Sequence, residues 1–152
     1  MIGLLVFAAI AVVPAGTTFI CTPERVYDGD GLIWCSEGPR VRLGGVAARE
    51  MDETCRPLQP CPTASAIEAR DALVRLLGGA SGVAPEGHIL VAGRPLTCIS
   101  DGSAGGSRTA AWCSLSDGRS LNCTLIATGK VLDWPRYMGV RKCRRTRLTI
   151  TQ

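Results

Sequence analysis

The sequence predicts a mainly β domain with a few helices, closed into a small barrel, and three observations predict it. Short β-type runs recur between clusters of glycine, proline and aspartate; a strongly amphipathic helical stretch follows the third run; a shorter helical stretch precedes the C-terminus. At 152 residues the chain has material for one core. A hydrophobic content of 46% against 20% charged residues is that of a globular chain rather than a disordered one.

Phe19 to Tyr27 and Leu32 to Cys35 read as two β segments joined by Asp28-Gly29-Asp30-Gly31, a turn-forming cluster. Ser36 to Pro39 makes the next turn and Arg40 to Val46 the third strand, with Gly44-Gly45 marking a bend. Residues 51–62 hold three prolines and two cysteines and are too irregular for a strand or helix. Thr63 to Leu77 is the clearest helix. Ile67, Leu73, Val74 and Leu77 fall on one face, Ser65 and Glu68 form a capping box, and Gly78-Gly79 stops it. A loop of small residues from Gly78 to Gly87 leads to two strands, His88 to Ala92 and Leu96 to Ser100. Arg108 to Leu115 is a further strand, and Leu121 to Thr128 a short helix stopped by Gly129.

Eight cysteines, even in number and without C-x-x-C spacing, point to structural bridges in an oxidising compartment. Eight allow 105 pairings. Local geometry suggests three, Cys21 with Cys35 about Asp28, Cys55 with Cys61 within the irregular loop and Cys98 with Cys113 about Gly105-Gly106, and Cys123 with Cys143 remain as the fourth. The apolar run Ile2 to Val13, followed by Pro14-Ala15-Gly16, reads as a secretory signal over residues 1–16, and a secreted or periplasmic protein follows. That leaves a domain over residues 17–143 and a basic tail over 144–152. The formal charge of +4 is concentrated in Arg141, Lys142, Arg144, Arg145 and Arg147, so the body is near neutral. A basic terminus can tether a polyanion or simply stay solvated.

The candidate chemistry lies between Val26 and Glu50. Asp28 and Asp30 set oxygen ligands at a tight glycine turn, which suits a hard cation, though turn-forming aspartates need no metal. Arg42 and Glu50 at the end of the next strand suit a phosphate and an attacking water, though a strand arginine often serves only a cross-strand ion pair. His88, the only histidine, has no nucleophile motif or second histidine to work with. Trp34, Trp112 and Trp134 serve either packing or base stacking.

The order V-x-D-G-D-G, R-L-x-G-V-x-x-x-E, an alanine-rich helix opening on P-x-A-x-A, then G-x-R-T-A-A-W-C and L-N-C-T-L-I-A-T-G resembles the staphylococcal nuclease (thermonuclease) family over residues 19–137. The resemblance implies a five-stranded OB-type barrel with two to three attached helices, hydrolysing phosphodiester bonds of DNA or RNA with calcium or another divalent cation. It implies Asp30 as a metal carboxylate, the Ala48 carbonyl as a further ligand, Arg42 and Arg108 as phosphate clamps, and Glu50 as the residue handling the water. Two departures stand out: Ala47 replaces the second metal carboxylate, and Gly31 replaces a common threonine. With one carboxylate fewer, the cation is expected to bind weakly. The sequence therefore predicts a monomeric secreted nuclease with no stable membrane association. The alternative is a catalytically impaired barrel that binds nucleic acid or protein.

Overall fold

A computed structural model describes residues 11–144. Residues 1–10 and 145–152, which carry most of the expected signal and basic tail, lie outside the described residues.

Over the described residues the chain is mainly β with two α-helices. In order it forms β1 (Thr18–Cys21), β2 (Pro23–Asp28), β3 (Gly31–Cys35), β4 (Arg40–Leu43), β5 (Val46–Ala47), α1 (Ala66–Leu76), β6 (Ala80–Val83), β7 (Ile89–Val91), β8 (Leu96–Ser103), β9 (Arg108–Ser114), α2 (Leu121–Ala127) and β10 (Leu132–Asp133), then a short 3-10 turn over Pro135–Tyr137. The larger sheet runs β1-β8-β9-β4-β3-β2-β7-β6, with β4 and β9 parallel; β5 pairs with β10 separately. The described strands number ten rather than five, and the ladder has two ends, β1 and β6.

Period-two alternation explains the strands. Val26, Ile33, Val41, Leu43, Ala111 and Cys113 point into the core; Trp34, Arg40, Arg42, Arg108 and Trp112 point the other way. The expected single segment Phe19–Tyr27 breaks at Thr22, whose backbone N–H and hydroxyl both donate to the Glu37 carboxylate, and the pairing partner changes from β8 to β3 there. The small-residue loop after α1 contains a strand: Ala80–Val83 pairs with β7 at the sheet edge, where few side chains need burying.

Helix α1 begins at the Ser65–Glu68 capping box. Its buried face differs from the apolar stripe of the sequence. Ile67 is 52% exposed, whereas Ala66, Ala69 and Ala72 join Leu73 and Val74 inside. The reason is close packing: a Cβ on Gly29 would lie 2.4 Å from the Ala69 Cβ, so the acid turn rests directly on the helix. Helix α2 buries Leu121, Asn122 and Leu125. Asn122 accepts from the Cys113 N–H at 3.0 Å and donates to the carbonyls of Gly44 at 2.8 Å and Ala111 at 3.2 Å, tying α2 to the ends of β4 and β9.

All eight cysteines are paired as the sequence predicts: Cys21–Cys35, Cys55–Cys61, Cys98–Cys113 and Cys123–Cys143. Cys98 and Cys113 are direct register partners across β8 and β9. Such bridges persist in oxidising compartments. Among the described residues no helix is long and apolar enough to cross a membrane. The ordered structure begins before residue 17, because Val13 donates to the Thr109 hydroxyl and accepts from the Ser100 hydroxyl, and Gly16 donates to the Ser100 carbonyl.

Candidate active site

Asp30, Arg42, Glu50 and Arg108 all line one cavity of about 200 Å³, together with Tyr27, Asp28, Arg56, Gln59 and Trp134. Four separate stretches supply the expected residues: the β2–β3 turn, β4, the segment after β5, and the start of β9. Gly31 is required where it stands. Its φ is +127° and a Cβ would meet the Val41 carbonyl at 2.6 Å, so a threonine has no place here. Gly31 is the register partner of Arg42, which sets the arginine beside the acid turn.

The Arg42 guanidinium donates to Asp30 Oδ2 at 3.1 Å, the Leu43 carbonyl at 2.7 Å and the Val46 carbonyl at 3.2 Å. It is thereby fixed in direction, with Trp134 5.7 Å away. Arg108 reaches the same cavity, with donors turned onto the carbonyls of Ala104 and Gly105. The Glu50 carboxylate accepts from Arg56 Nε at 3.0 Å.

Asp28 is 7% exposed. Its carboxyl is pushed up to about 9, first by burial, then by the neighbouring charge of Asp30 and their side-chain contact, with a smaller push from Glu50. Acids crowded this way suit a hard cation, whose charge would offset the repulsion. The fit is partial. The Ala48 carbonyl accepts from Gln59 Nε2 at 2.7 Å, so the expected backbone ligand is already engaged. Ala47 is fully buried in β5 and contributes nothing polar. Asp52, the next carboxylate along the chain after Glu50, accepts from the Thr54 N–H and hydroxyl, and among the described residues no group of three metal-ligating side chains meets the geometry of a metal site.

Sequence reasoning missed Arg56, Gln59 and Tyr27 as cavity residues, and saw Trp134 only as packing or stacking. Arg56 and Gln59 sit between the bridged Cys55 and Cys61, so the disulfide that pins the irregular loop also presents them. Trp134 arrives because β10 pairs with β5 and the Trp134 N–H donates to Gly45 at 2.7 Å. A second depression of about 490 Å³ continues from the first, sharing Arg42, Arg56, Arg108 and Trp134 and adding Arg136, Tyr137 and Arg141.

Compared with family models, with curated proteins and with solved structures, the chain matches none.

Proposed function

We propose that this chain is an exported phosphodiesterase of the kind its motif order resembles, hydrolysing DNA or RNA with the help of a divalent cation. The observation that carries the reading is the convergence on one cavity of Asp30, Arg42 and Glu50, from three successive segments, with Arg108 from the distant start of β9. Arg42, and Arg108 once turned from its loop, donate to the non-bridging oxygens of the scissile phosphate, matching planar forks to developing charge. Glu50 accepts the proton of the attacking water, and Arg56 beside it holds that carboxylate in place. Asp30, with Asp28 behind it, would hold the cation, which supplies further charge neutralisation when bound.

The OB-type barrel belongs to the same proposal. Only Thr22 separates β1 from β2, and these two pair with β8 and β3 respectively. Taken as one bent strand, they bring the path β3-β4-β9-β8 back to its start, with β5, β6, β7 and β10 as additions.

The second reading, a binding barrel without catalysis, is favoured by the engaged Ala48 carbonyl and the apolar Ala47. The deciding experiment incubates oxidised protein with labelled single-stranded DNA and RNA, in calcium, magnesium or manganese and in chelator. Metal-dependent cleavage, lost in Glu50→Gln and in Arg42→Ala, is the expected result. Salt-sensitive binding with no cleavage under any metal would replace the enzyme by the binding barrel.

A further inference from the structure

The outward face of the sheet carries a row of which the catalytic reading uses only the last member, Arg108. Arg25 on β2 is the register partner of Trp34 on β3, Trp34 of Arg40 on β4, and Arg40 of Arg108 on β9. The row crosses three strand spacings, about 14 Å, and ends at the cavity. Trp34 orders it: the Arg25 guanidinium lies 4.4 Å from the ring centroid and that of Arg40 3.9 Å. The Arg40 Nε is buried without a hydrogen-bond partner, so only the outer amino groups of that guanidinium are open to a phosphate, whereas Arg25 pairs with Glu86. Tyr27, two positions along β2 from Arg25, is 44% exposed and forms part of the cavity wall.

We infer that Arg25, Arg40 and Tyr27 form a binding track for single-stranded nucleic acid leading to the cavity, with phosphates on the two arginines and a base stacked on Tyr27. This deepens the phosphodiesterase reading and rests on it for the direction of the strand. An exposed aromatic beside ordered guanidiniums is what a single strand needs, because unpaired bases offer a stacking face that a duplex hides. Arg40 and Arg42 stand two residues apart on β4, about 7 Å, on the order of the step between successive phosphates of an extended strand. Glu86 tempers the track by holding Arg25.

The test is fluorescence anisotropy of labelled oligothymidylate and oligouridylate of about twelve residues, in chelator and over a range of salt. Both oligomers bind the wild type, and their relative affinity distinguishes DNA from RNA. The Arg25→Gln/Arg40→Gln double variant lowers the slope of log affinity against log salt by about 1.4, or 0.7 per arginine. Tyr27→Ala weakens binding about tenfold. Glu86→Gln tightens binding, a gain that misfolding cannot produce. An unchanged salt slope in the double variant overturns the track, as does equal affinity for a duplex of the same length. The two readings fail separately. Weakened binding in the variants without cleavage by the wild type keeps the track and removes the enzyme; cleavage by the wild type with unaltered binding in the variants does the reverse.

Discussion

Gln59 donates from Nε2 to the carbonyl of Ala48 at 2.7 Å, and the same side chain accepts from the Arg56 N–H at 3.0 Å. One buried amide thus joins the disulfide loop to the segment that carries Glu50. Gln59→Ala leaves the Ala48 carbonyl unpaired in the interior and is expected to cost about 1–3 kcal/mol. Urea denaturation with the disulfides intact measures it; a change within error would mean that the loop is held without this amide.

The four bridges should divide into two kinds. Removing Cys98–Cys113 by paired serine substitution is expected to cost about 3 kcal/mol of stability and, on the phosphodiesterase proposal, to leave cleavage by the remaining folded protein near wild type. The shorter Cys55–Cys61 loop should cost about 2 kcal/mol, yet lower activity more, because Arg56 and Gln59 lie inside it. Specific activity of the folded fraction, set against the denaturation midpoint, separates the two. Equal effects on activity would remove the loop from the site.

Asp28 predicts a pH dependence. Its carboxyl is raised from 3.8 to about 9, so the folded chain holds this proton more tightly than the unfolded chain. The stability it contributes is full below about pH 4 and is lost as pH rises through about 9. In chelator, the thermal midpoint of Asp28→Asn should therefore fall less than that of the wild type across this window. Parallel curves would show that Asp28 titrates normally.

Gly29 and Ala69 should behave as a coupled pair. Gly29→Ala forces a Cβ to within 2.4 Å of the Ala69 Cβ and is expected to destabilise by about 1–3 kcal/mol. Adding Ala69→Gly removes that contact, so the double variant should be more stable than the sum of the two single changes predicts. Strict additivity would mean that the turn does not bear on the helix.

Asn122→Ala removes an amide that makes three buried hydrogen bonds. The expected loss is about 3 kcal/mol. Asn122→Asp should also destabilise, since an ionised carboxylate accepts from Cys113 but cannot donate to Gly44 or Ala111.

Much of this fold was legible because its signals are local. The D-G-D-G turn, the Ser65–Glu68 box and the symmetric cysteines each act within a short stretch, and each produced the element expected. That Asp30, Arg42, Glu50 and Arg108 would meet was legible through the order of their motifs, which periodicity alone would not have found. What stayed hidden depends on distant partners. The buried face of α1 follows alanines rather than Ile67, because a glycine turn is its neighbour. Strand β6 has no alternation to betray it, and Arg56 and Gln59 sit where prolines and cysteines suggest only irregularity.

The hydrogen bonds of Val13 bear on where the proposed leader could be removed. A leader removed at Gly16 would take from Thr109 its backbone donor and from Ser100 its backbone acceptor, both at hydroxyls almost wholly buried. A cut upstream of Val13 keeps them. If the chain is exported as proposed, processing and folding would read the same few residues, and the first residue of the secreted chain would report whether the fold or a leader governs that boundary.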